Sequence, residues 1–243
     1  MRDWVCGFFM AWGMFLAIPC PRKIWSEGAR QKMLVCMPLV GLLAGGVWAG
    51  AWLLLRGAPG PVRAAVCAAA PWLVTGFMHL DGYMDVCDAV LSRRDLATRQ
   101  RILKDSHCGA FAVICMVLLA MGQWSLFLAA EDVSWLGLLL IPAATRACAG
   151  LAVLGLRPMG TSQYAAMGPA RGGYGAALWV LLALSVGLPL WLDGSFGPLA
   201  AAAGYGLAVW YGFRNLDGMS GDISGFALTI GELCGCGAAI LWR

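Results

Sequence analysis

The stretch Cys108 to Ala130 reads CGAFAVICMVLLAMGQWSLFLAA and contains no Asp, Glu, Lys or Arg. It is longer than the roughly 20 apolar residues that a helix needs to cross a hydrocarbon core about 30 Å thick. Comparable runs lie on both sides of it: Trp4 to Pro19, Met33 to Leu55, Ala64 to Leu80, Val133 to Leu156, Tyr174 to Leu192, Phe196 to Phe213 and Ile223 to Trp242. The whole chain is 60% hydrophobic and 12% charged, with a mean hydropathy of +0.75, against about 25% charged residues in soluble domains. These features predict an all-α, polytopic integral membrane bundle of seven or eight transmembrane helices. The lower count applies if the first run is only interfacial. Residues 1–243 read as one membrane domain.

The 17 basic residues and net charge of +4 sit in short connections rather than along one stripe, which argues against a nucleic-acid footprint. Most lie in 22–32, 81–107, 157–171 and around Arg214, segments separated by even numbers of spans, so all four can face the cytoplasm together. Arg56 and Arg63 break that pattern. Of the ten cysteines, Cys6, Cys36, Cys67, Cys115 and Cys148 lie in apolar runs and read as packing residues. Cys234 and Cys236 lack a zinc or redox spacing. Arg2 is offset by Asp3 and no small-residue cleavage site follows, so a cleaved signal peptide is not expected. The 33 glycines suggest closely approaching helices, within one bundle or in a homo-oligomer.

The longest polar segment, HLDGYMDVCDAVLSRRDLATRQRILKDSHCG, begins at His79. Asp81, Asp85 and Asp88 are spaced four and then three, which puts three carboxylates on one helical face. Like charges so close repel unless a cation gathers them, and oxygen-only ligands suit magnesium, manganese or calcium better than zinc. The rival is a solvated helix end with the acids paired to Arg93 and Arg94. Gly82 allows close backbone approach, which a phosphate or nucleotide could use. Asp105 could face the aspartate group across a helical hairpin, with Lys104 contacting a phosphate oxygen and Ser106 beside them. His79 stays open as base, ligand or hydrogen-bonded structural residue.

A second polar cluster, NLDGMSGDISGFALTIGEL, runs from Asn215 to Leu233. Asp217 and Asp222 fall in a glycine-rich turn suited to phosphate. Glu232 lies inside an apolar run and needs a partner. Arg146, in the middle of its own span, could supply one or could face an anionic substrate instead.

These residues resemble the cobalamin synthase family, also called adenosylcobinamide-GDP ribazoletransferase. The family's His-Leu-Asp-Gly segment, its two further spaced aspartates and its Lys-Asp-Ser group correspond to His79–Gly82, Asp85, Asp88 and Lys104–Ser106. FLAIPCP followed by MPLVGLLAGG, and SGD followed by Glu232, extend the likeness over nearly the whole chain. Ala89, Ser220 and Cys236 depart from the usual glycine, threonine and second late glutamate.

The resemblance implies a multi-pass enzyme of the cytoplasmic membrane that is magnesium-dependent. It would join adenosylcobinamide-GDP to α-ribazole, or its 5′-phosphate, with release of GMP. For that reaction the residues themselves suggest Asp81, Asp85 and Asp88, joined by Asp105, as metal ligands, with His79 or an uncoordinated carboxylate as proton acceptor and Lys104 beside them. Gly82, Ser106, Arg146, Asp222 and Glu232 would contact substrate.

Two other functions suit a membrane chain. A CDP-alcohol phosphotransferase expects Asp-Gly and Ala-Arg pairs among its aspartates, whereas Asp88 here is followed by Ala89 and Val90. A small transporter could use Arg146 and Glu232 along a polar path, but leaves the same-face aspartates without a purpose and lacks a clear internal repeat.

Overall fold

The computed structural model describes residues 2–160, 162, 164 and 172–242. Their regular structure is helical: α1 (Arg2–Phe15), α2 (Arg30–Leu54), α3 (Gly60–Val74), α4 (Met78–Leu91), α5 (Leu96–Ile102), α6 (Ala110–Ala129), α7 (Trp135–Gly155), α8 (Tyr174–Asp193), α9 (Gly197–Leu216) and α10 (Gly221–Leu241). An isolated bridge pairs Pro158 with Met219.

Burial sorts the long helices into two groups. In α2, α7 and α10 about two thirds or more of the apolar window is buried, whereas α6 and α8 bury 22%. The first three form the centre of the bundle. The other two present Ile114, Leu118, Trp179, Val180 and Trp191 outward, which in a bilayer is the lipid-facing surface. At the centre, small residues set the spacing: a Cβ on Gly45 of α2 would stand 2.0 Å from the Leu139 carbonyl oxygen of α7, so these two helices meet backbone to backbone.

Five helical segments are long and apolar enough to span a membrane, or six if α3 and α4 count together. This is fewer than the seven or eight runs the sequence offers, and three elements account for the difference. One is α9, over the expected run from Phe196 to Phe213, which is not among the five because its glycines, tyrosines, Arg214 and Asn215 lower its hydropathy; the other two are α1 and the run that holds α3 and α4. The 14-residue α1 reaches only about 21 Å at 1.5 Å per residue. Its first turn meets α2, through Lys32 and Asp3, and Ala17, just past its end, donates to the Val74 carbonyl at the end of α3. It meets the end of the bundle where α2 begins, with Gly7 against the Lys32 and Met33 backbone. The expected run from Ala64 to Leu80 is also broken: α3 and α4 bend by 91° around Gly76 and Phe77, both at positive φ.

That same end gathers the basic connections. Arg99 and Gln100 of α5 donate to Asn215 and to the Leu216 carbonyl at the end of α9, and Arg157 pairs with Asp217 at 2.5 Å. Arg171, counted with this basic group, lies outside the described residues. The exceptions to the charge pattern are held at the opposite end, where the Arg63 guanidinium lies 4.6 Å from the Trp52 ring and donates to the Ala130 carbonyl. Arg56 faces Asp132 at 3.8 Å there.

Candidate active site at the junction of α4 and α10

The polar segment after His79 is helical rather than an open loop, and its first turns pack against the start of α10. A Cβ on Gly82 would meet the Asp222 carbonyl oxygen at 2.8 Å and its Cα at 3.0 Å. Gly82 therefore admits the α10 backbone, which takes the place the sequence left open for a phosphate. Thr229 donates to the His79 carbonyl at 3.2 Å, and the Tyr83 ring stacks on Phe226 with centroids 5.7 Å apart. These contacts fix the register of α4 on α10. The start of α10 is set by Ser220, whose hydroxyl caps the helix by accepting from the Ile223 amide.

This register brings two distant parts of the chain together. Asp81 is exposed, while Asp85 and Asp222 are partly buried, and Asp85 stands within electrostatic reach of Asp81, Asp222 and Asp88. Beside them a cavity of about 270 Å³ is lined by His79, Asp81, Gly82, Asp222, Arg30 and Tyr164, with methionines on its apolar wall. His79 is 7% exposed and its Nε2 is buried without a hydrogen-bond partner among the described residues. Burial, reinforced by the Asp222 carboxylate, pushes the Tyr164 phenol up to about 12, so it stays protonated as a donor at neutral pH.

Asp88 is already engaged by backbone amides. Its carboxylate accepts from the backbone amides of Gly109 at 2.5 Å and Ala112 at 3.0 Å, and so caps α6 and meets the positive end of its dipole. Asp88→Ala should cost about 1–2 kcal/mol of stability, read as a lower thermal midpoint, while the folded fraction keeps turnover within several-fold of wild type. A variant of normal stability that has lost turnover would return Asp88 to the chemistry.

Asp105 also finds a different partner. Its carboxylate accepts from the His107 amide at 3.0 Å and contacts Nδ1 at 2.7 Å, bonds that hold it below the usual carboxylate range. It serves its own turn instead of facing Asp81. Lys104 and Ser106 are exposed and do not line the cavity.

Arg146 and Glu232 meet each other: Arg146 Nη1 donates to Glu232 Oε1 at 2.5 Å and to the Pro142 carbonyl at 3.1 Å. Both are buried and neither lines the cavity. Of the two alternatives open for this pair, the structure supports mutual neutralisation over substrate contact.

The sequence reading passed over Trp25, Arg30 and Tyr164. Arg30 was counted only as topological charge, although its guanidinium lies 5.8 Å from the Trp25 ring and pairs with Glu27 at 3.1 Å. It is the one cation, His79 aside, among the described lining residues.

Among the described residues no three His, Cys, Asp or Glu side chains form a ready-made metal cage. The donors nevertheless fit magnesium, which is commonly held by one or two carboxylates with water and substrate phosphates completing the shell. Asp81, Asp85 and Asp222 supply oxygen donors of that kind and carry a surplus of negative charge.

Comparison with known proteins shows the family. Residues 7–240 match the family described as cobalamin-5-phosphate synthase. Among curated relatives, an adenosylcobinamide-GDP ribazoletransferase of Clostridium botulinum (strain Alaska E43 / Type E3) is 32% identical over the full length of both chains. One from Clostridium perfringens (strain 13 / Type A) is also 32% identical, covering 93% of this chain and 94% of its own length. A third, from Halalkalibacterium halodurans, is 39% identical over 60% of this chain and 58% of its own. No solved structure matches. With a family match across nearly all its residues and relatives aligned end to end, this multi-pass membrane chain belongs to the cobalamin-5-phosphate synthase family.

Proposed function

We propose that this chain is an adenosylcobinamide-GDP ribazoletransferase that works in the cavity between α4 and α10. The observation that carries the proposal is the meeting of Asp81 and Asp85 with Asp222, from opposite halves of the sequence, beside a cavity that also holds His79 and Arg30. In the reaction a ribose hydroxyl oxygen bonds to the phosphorus that bears cobinamide. The bond from that phosphorus to the GMP oxygen breaks, and the hydroxyl loses its proton.

Magnesium would be held by Asp81, Asp85 and Asp222, and when bound it would neutralise the pyrophosphate oxygens and the departing GMP. Arg30 contacts a phosphate oxygen from the opposite wall, which trades its exposed pairing with Glu27 for a bond to substrate. His79, whose side chain is among those lining the cavity, accepts the hydroxyl proton. Tyr164 donates a hydrogen bond to the nucleotide. The basic end of the bundle faces the cytoplasm, in keeping with the positive-inside tendency, so that soluble nucleotide substrates reach the cavity directly.

The test is product formation by the purified, lipid-reconstituted protein, given adenosylcobinamide-GDP and α-ribazole or its 5′-phosphate, with and without magnesium. Magnesium-dependent release of GMP together with cobalamin or its phosphate is expected. Absence of product from folded protein with either acceptor would overturn the assignment.

A further inference from the structure

A second cavity adjoins the first. A groove of about 560 Å³ runs between α1 and the segment that follows it, lined by Phe9, Met10, Leu16, Ile18 and Ile24. Met14 and Trp25 line both the groove and the acidic cavity, so the two lie against each other across these side chains. Its volume falls in the range of roughly 300–1,000 Å³ that small ligands fill. The polar groups near it are already engaged: Trp12 Nε1 donates to the Ile18 carbonyl at 3.0 Å, Trp25 Nε1 to Glu27 at 2.7 Å, and the Cys20 thiol to the Arg22 carbonyl at 3.1 Å. Lys23, exposed, is the one charged residue among those lining it.

We infer that this groove is the acceptor subsite, holding the fused aromatic base of ribazole, and that Lys23 at its rim takes the 5′-phosphate when the acceptor carries one. The inference rests on the transferase assignment above. Three features select this occupant. Guanine presents several hydrogen-bonding groups that the groove leaves unanswered, at a cost for each buried without a partner, whereas a benzimidazole ring is largely apolar. The corrin ring with its peripheral amides is too large and too polar. An acceptor with its base in the groove also projects its ribose past Met14 and Trp25 toward Asp81 and His79, where the hydroxyl must be to attack. Trp25, 53% exposed, offers a ring face at the junction.

Two substitutions test this in the reconstituted full-length protein. Gly13 lines the groove, and a Cβ there meets Cys20 at an ordinary 3.7 Å, so Gly13→Leu adds its bulk to the groove. It should raise KM for both acceptors about tenfold, a loss of roughly 1.4 kcal/mol, and leave KM for adenosylcobinamide-GDP unchanged. Lys23→Gln, an exposed change that spares the fold, should raise KM about fivefold for α-ribazole 5′-phosphate alone. Calorimetric titration of each acceptor without donor should show the same pattern.

The inference is overturned if Lys23→Gln shifts both acceptors equally or neither. It is equally overturned if folded Gly13→Leu leaves every KM unchanged, as a groove filled by lipid chains would. A wild-type protein inactive with either acceptor rejects the transferase assignment itself.

Discussion

Asp85→Asn should lower turnover by about a thousandfold and leave the thermal midpoint near that of wild type. Asparagine keeps the shape of the side chain and removes its charge. The helix pair is held by other groups, since Tyr83, Gly82 and the His79 carbonyl keep α4 on α10. The fold should therefore survive. The charge is a different matter: Asp85 does not itself line the cavity, but it stands within electrostatic reach of Asp81 and Asp222, which do, and a pyrophosphate beside three acids needs countercharge. Charge stabilisation of that kind is worth several kcal/mol in the transition state, and about 4 kcal/mol corresponds to a thousandfold. The checks are GMP release at saturating substrate and unfolding followed by circular dichroism. A variant with turnover within tenfold of wild type would remove Asp85 from the reaction.

Glu232→Ala, in contrast, should fail through the fold. The side chain of Arg146 is 1% exposed and that of Glu232 is 7% exposed, and Arg146 Nε and Nη2 have no partner. Deleting the carboxylate leaves a guanidinium among α7, α9 and α10 with neither water nor a counter-ion. Breaking a buried pair from one side costs about 3–5 kcal/mol, whereas replacing both partners with apolar residues of similar size is often neutral. The single variant should accumulate poorly and melt far below wild type, and Arg146→Met with Glu232→Leu should recover most of the loss. The readout is the melting temperature of the three proteins in one detergent. A Glu232→Ala protein that melts normally and has lost turnover would place the pair in substrate binding.

The contrast between these acids explains what could be read from the chain. Spacing alone exposed Asp81 and Asp85, because a helix puts residues four apart on one face. The same logic included Asp88, whose carboxylate the structure engages at the start of α6. The amides that claim Asp88 belong to the start of α6, about twenty residues on, and nothing local in the sequence shows that the chain returns to that point. Asp222 was visible as a polar residue at a span entrance, but its place opposite Asp81 depends on Gly82 admitting the α10 backbone.

The break at Gly76 and Phe77 was hidden by an unbroken apolar run, since hydropathy carries no record of backbone dihedrals. The helical membrane architecture was legible because apolar length alone specifies a span. The role of α1 depended on how it packs across α2, which length could only hint at. Arg30 shows the limit most plainly: a basic residue before a span reads as topology until the structure places it on a cavity wall.

The central claim is that Asp222 joins Asp81 and Asp85 in one catalytic group while Asp88 stands outside it. The most direct measurement is kcat for GMP release by Asp222→Asn, by Asp85→Asn and by the double variant, each reconstituted in lipid with its melting temperature recorded. The account predicts that each single change costs about a thousandfold without unfolding the protein, and that the double variant is little worse than either, as residues acting as a unit behave. A stable Asp222→Asn protein with turnover close to wild type would contradict it.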